Sequence, residues 1–220
     1  MKAKLFSLVS AAAISMTVPR CRGESATNAA HLSCCASPLV AAHPLTDKSL
    51  YQLDSTWFDD NGHALKLASL RGRPQVVCMF FANCQSACPV MVHKMKQIEQ
   101  ALPENLRTNI GFLLVSFDPE RDTPAVLHDY RVRHDLAIGR WSLLRGAADD
   151  VLELAALLGV KFKKENGQFM HSNMLTVLNC EGEIAFQEMG LSLSPERVVD
   201  GLLHHSGRMQ PSPSTKPPLQ

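Results

Sequence analysis

Apolar residues fall in short runs separated by longer stretches of helical spacing, and the alternation of the two dictates the reading of the chain. Val76, Val77, Met79, Phe80 and Phe81 form a continuous apolar run over 75–81, the pattern of a strand covered on both faces. A helix is expected from about Cys88 to Leu102, because Val92, Met95, Ile98, Glu99 and Leu102 recur at roughly helical intervals and Pro89 suits a first turn. A second apolar run, Ile110 to Val115, predicts a strand over 110–116. Thr123 then caps a helix over 124–136 that opens on Pro124 and carries Ala125, Leu127, Tyr130, Val132 and Leu136. Further strands are expected near Ala64 to Leu67, near Trp141 to Leu144, and as a pair over 174–178 and 183–187. Further helices are expected over 148–158 and 195–205, the last capped by Ser194, begun by Pro195 and faced with Val198, Val199, Leu202 and Leu203. This order predicts an α/β fold with a central mixed sheet flanked by helices, and an insertion around Lys161 to Met170.

Outside that region the pattern changes. Lys2 and Lys4 precede an apolar stretch from Leu5 to Val18, the order of an export signal, and the stretch is short for a membrane span. Residues 1–25 are therefore read as an export signal or retained N-terminal anchor, 26–47 as a flexible linker and 48–206 as the folded domain. Residues 207–220, rich in Pro and Ser, are read as a disordered tail. A chain of 220 residues with 45% hydrophobic content can bury a full core. A formal net charge of +1 supplies no basic field for nucleic acid, which is excluded as a partner.

Candidate chemistry concentrates where the first long strand gives way to its helix. Cys84 and Cys88 stand four residues apart there, able to share one soft metal ion or one disulfide. Unpaired amides and the dipole at a helix start favour thiolate, so both cysteines are expected to titrate below the ordinary thiol value of about 8.5. The chain has seven cysteines, an odd number. Cys34 and Cys35 read as flexible thiols, Cys21 has a poor context for lipid attachment, Cys78 reads as a small core residue, and Cys180 reads as exposed in the turn Asn179-Cys180-Glu181-Gly182. Asp118 falls just beyond the end of the strand over 110–116, where open α/β sheets place their sites, whereas Asp122 reads as a solvated carboxylate in a capped turn. Of nine histidines, His43, His63, His128, His134, His204 and His205 read as surface or turn residues, and His93 turns away from the cysteine loop.

The segments Cys84-Gln85-Ser86-Ala87-Cys88-Pro89 and Asp118-Pro119-Glu120-Arg121-Asp122-Thr123-Pro124, with His171 later in the chain, closely resemble the Sco/SenC family of copper-binding assembly factors for cytochrome c oxidase. The resemblance runs from about Tyr51 to His205. In that family a C-x-x-x-C-P motif, a D-P-x-x-D-T-P motif and one distal His occur in this order. Gln85 and Asn83 depart from the family pattern, which has Pro after the first Cys and an aromatic residue or Thr before it, and they leave the ligand positions intact.

The resemblance and the element order together imply a thioredoxin-like fold. The resemblance further implies one copper ion held by Cys84, Cys88 and His171, with Asp118 as a supporting carboxylate. Two thiolates and one imidazole suit Cu(I), and with a weak added ligand Cu(II); a closed zinc site would want a fourth protein ligand. The expected function is a copper chaperone whose client is the copper-bearing subunit of a cytochrome c oxidase. The alternative is a thiol–disulfide reductase of that subunit's cysteines, with Cys84 and Cys88 as the redox pair. Other copper chaperones and a thiol reductant are expected partners, and the expected location is periplasmic or membrane-anchored facing the periplasm. A peroxidase of related fold is disfavoured, since no T-x-x-C loop is evident.

Overall fold

The computed structural model describes residues 44–165 and 168–206. In chain order the strands are β1 (Trp57–Asp59), β2 (Ala64–Leu65), β3 (Gln75–Phe80), β4 (Gly111–Ser116), β5 (Trp141–Arg145), β6 (Phe162–Glu165), β7 (Gln168–His171), β8 (Met174–Leu178) and β9 (Ile184–Met189). The helices are α1 (Ala87–Ala101), α2 (Glu104–Arg107), α3 (Pro124–Arg133), α4 (Ala148–Leu157) and α5 (Pro195–Ser206). Seven strands form one sheet in the order β2-β1-β5-β4-β3-β8-β9, and β6 and β7 form a separate hairpin. The three central strands are parallel, with Cys78 opposite Leu114 and Leu114 opposite Leu143. β8 runs antiparallel to β3, and β1 antiparallel to β5, so the sheet is mixed, as expected.

The continuous apolar runs have the predicted consequence: every residue of β3 and of β4 is buried, because both faces of these strands are covered. Successive side chains point to opposite faces. Phe80 therefore meets Tyr130 of α3 at 4.9 Å between ring centroids, whereas Phe81 meets Phe117 at 5.4 Å and Phe169 of the hairpin at 5.2 Å. α3 starts as predicted, with the Val126 N–H donating to the Thr123 hydroxyl and Pro124 in the first turn, but ends at Arg133, three residues short of the expected limit.

The insertion expected over Lys161 to Met170 is the β6–β7 hairpin, whose second arm closes on His171, and β8 begins at Met174. Cys180 departs from expectation more sharply. It is 8% exposed, because the N-terminal segment lies over its turn: the Leu50 N–H donates to the Gly182 carbonyl, and the Gly72 N–H to the Cys180 carbonyl. Gly182 sits at φ +82°, and a Cβ there would come within 2.6 Å of the Tyr51 ring. The linker expected through 47 also ends early, since Thr46 bonds Glu183 and accepts from Gln52. The expected export signal, Cys21, Cys34, Cys35 and the tail from 207 lie outside the described residues.

Candidate metal centre

The site grows out of the end of β3. After Phe81 the chain turns, with the Cys84 N–H donating to the Phe81 carbonyl, and α1 starts three residues beyond Cys84. Cys88 thus occupies the second helical position, and its own N–H donates to the Cys84 sulfur at 3.3 Å. Both cysteines are free thiols and buried, 8% and 2% exposed respectively.

Their acidities diverge. Burial pushes the Cys84 thiol up, but hydrogen bonds from the backbone of Cys88 and Ser86 outweigh it, and the net shift is downward. For Cys88 burial dominates, and with the Cys84 and Cys78 sulfurs beside it, its thiol moves well above the usual range. The expectation that both would be acidified holds for Cys84 alone: the helix-start amides serve its sulfur, while Cys88 points into the core. Cys78 is the core residue expected, its thiol pushed up to about 12 by burial.

The β6–β7 hairpin brings the third group. Phe169 and Phe162 pack against Phe117, at 5.0 and 5.2 Å between centroids, and this seat carries His171 over the cysteine loop. The imidazole lies 4.9 Å from the Phe117 ring and edge-on to Phe81. Its Nδ1 faces the Ser172 carbonyl at 3.3 Å, which can only accept, so in the neutral ring Nδ1 donates there and Nε2 is the nitrogen left for a metal. Nε2 lies 3.9 Å from the Cys88 sulfur. The ligand atoms of Cys84, Cys88 and His171 all fall within 4.8 Å of one another, and among the described residues no other group of three such side chains does so.

Asp118 is buried, its carboxylate is engaged by Arg121, and it is not one of the groups that converge at the site. Asp122, read from sequence as solvated, is 1% exposed and accepts hydrogen bonds from the Ala82 N–H and the Ser116 hydroxyl. Burial raises its pKa above the ordinary carboxylate value. Its only sequence signal was membership of the D-P-x-x-D-T-P segment. His93 is exposed on α1 and stands apart from the cluster, as its helical position implied.

Comparison with known proteins places this geometry. The chain is 27% identical over 146 residues to the SCO1 protein homolog of Bacillus subtilis, covering 64% of this chain and 74% of the relative. The structure of Bradyrhizobium japonicum ScoI with copper bound matches with a TM-score of 0.58 at 22% identity, over 68% of this chain and 96% of that one. BsSco, a member of the Sco family of cytochrome c oxidase assembly proteins in which a disulfide switch was identified, matches with a TM-score of 0.60 at 23% identity, over 69% and 91%. These neighbours share the thioredoxin-like fold. The SCO1/SenC family model matches residues 45–204, which takes in the sulfur loop, the aspartate loop and the hairpin, and the chain belongs to the SCO1/SenC family.

Proposed function

We propose that this protein binds one copper ion through Cys84, Cys88 and His171 and delivers it to the copper-bearing subunit of a cytochrome c oxidase. The observation that carries this reading is the convergence of two sulfurs and an imidazole nitrogen within 4.8 Å. The donor chemistry fits the cargo: thiolate and imidazole are the soft and borderline ligands that suit Cu(I). Binding must strip the proton from Cys88, whose burial disfavours the thiolate, so loading releases protons and weakens as pH falls. His171 arrives on a hairpin separate from the loop that carries both sulfurs, an arrangement suited to stepwise exchange of ligands with a client site. The B. japonicum relative with copper bound supports the metal, and the family description attached to BsSco supports the client.

A second reading is favoured by the asymmetry of the thiols. An acidified Cys84 beside a proton-holding Cys88 is the arrangement of an attacking and a resolving thiol. In this reading the Cys84 thiolate attacks a client disulfide, Cys88 displaces the client from the mixed disulfide, and two electrons pass to the client as the Cys84–Cys88 disulfide forms.

The test is oxidase activity in cells carrying His171→Ala or Cys84→Ser at matched protein levels. Equal loss supports copper delivery, whereas a mild His171→Ala phenotype supports the reductase. A copper-binding curve unchanged by His171→Ala would remove His171 from the ligand set. The same cells probe the proposed location outside the cytoplasm, since deleting residues 1–25 should abolish function, and full activity without them would overturn it.

A further inference from the structure

The carboxylate of Asp122 lies beneath the two loops that meet at the site. One of its oxygens accepts from both the Ala82 N–H, at 3.0 Å, and the Ser116 hydroxyl. The Ser116 oxygen in turn accepts from the Asp118 N–H at 3.0 Å. Each partner is one or two residues from a piece of the site. Ala82 stands two residues before Cys84, and the carbonyl of its neighbour Phe81 accepts from the Cys84 N–H. Ser116 precedes Phe117, the ring on which His171 and the hairpin rest. Burying a carboxylate is costly unless it is fully bonded, and core packing alone would be served by an apolar residue.

We infer that Asp122 is a positioning residue that sets the separation between the cysteine pair and His171, acting through Ala82 and Ser116 without touching the metal. This rests on the copper reading above. Removing such a supporting group typically costs ten- to a hundred-fold in metal affinity.

The experiment compares Asp122→Ala, Asp122→Asn and Ser116→Ala in the full chain. It reads Cu(I) affinity by chelator competition, the Cu(II)–thiolate absorption, and the alkylation rate of Cys84 in the metal-free protein. Asp122→Ala should lose about ten- to a hundred-fold in affinity and shift the absorption. Asp122→Asn, which keeps an acceptor oxygen in place, should restore both. Unchanged affinity and absorption in Asp122→Ala would overturn the inference. Should Asp122→Ala fail to fold, Ser116→Ala decides, because it deletes one of the two donors: a smaller shift in the same direction supports the inference, and none overturns it. Should the wild-type protein itself fail to bind copper through His171, the copper reading falls, and Cys84 alkylation becomes the readout. A rate altered in Asp122→Ala then supports the positioning role, and an unaltered rate rejects it.

Discussion

Cys84 and Cys88 share a loop but not an environment, and the difference is electrostatic. Two residues of chain, Gln85 and Ser86, separate Cys84 from α1, so the amides at the helix start converge on its sulfur, while Cys88 has already entered the helix and faces the core. Alkylation should therefore be selective. The Cys84 rate should rise with pH through a midpoint below the ordinary thiol value, because the thiolate is the reacting form, and Cys88 should stay slow until far higher pH. Mass spectrometry of the two labelled peptides over a pH series checks this, and Cys88 reacting first would reverse the roles. The two thiols were legible in the sequence because both sulfurs fall in one motif at one spacing. Their opposite shifts were not, since helix-start position predicts acidification and only burial reverses it. Asp122 and Cys180 escaped for the same reason: a carboxylate or a thiol in a turn reads as exposed until another segment covers it.

At the level of elements, legibility followed length. The strands β3, β4 and β8 and the helices α1, α4 and α5 are long apolar or periodic stretches, and each lies within a few residues of its expected bounds. β1 has three residues and was not anticipated, and β6 reads Phe-Lys-Lys-Glu, with no apolar alternation to announce a strand. Only pairing with β7 and the packing of Phe162 and Phe169 onto the core make that hairpin form. His171 is thus placed by aromatic contacts that bring residues distant in sequence together, which no local pattern could show. Phe117 is the common member of these contacts, touching Phe81, Phe162, Phe169 and His171. Replacing it with alanine should cost about 3 kcal/mol of stability and loosen the hairpin. Denaturant unfolding reads the first effect, and faster amide exchange confined to β6 and β7 reads the second. Exchange rising equally throughout the fold would show that the hairpin is not specifically seated by Phe117.

Across the domain, the three ligand groups come from two places far apart in the chain: residues 84 and 88 after the first central strand, and residue 171 on the hairpin. An ion held by all three would cross-link those places in the folded state alone. An unfolded chain keeps two nearby thiols that can still capture Cu(I), so only the share of affinity supplied by His171 and by preorganisation adds to stability. For native binding a hundredfold tighter, saturating Cu(I) adds about 2.7 kcal/mol, which for a domain of this size raises the unfolding midpoint by roughly 5–10 °C. The rise should vanish on adding a strong Cu(I) chelator. His171→Ala should retain much less of it, since the remaining ligands are available to folded and unfolded chains alike. Scanning calorimetry of the reduced protein, with and without one equivalent of Cu(I), makes the measurement. An equal rise in wild type and His171→Ala would show that the hairpin takes no part in holding the ion, and the proposed site would reduce to the cysteine pair.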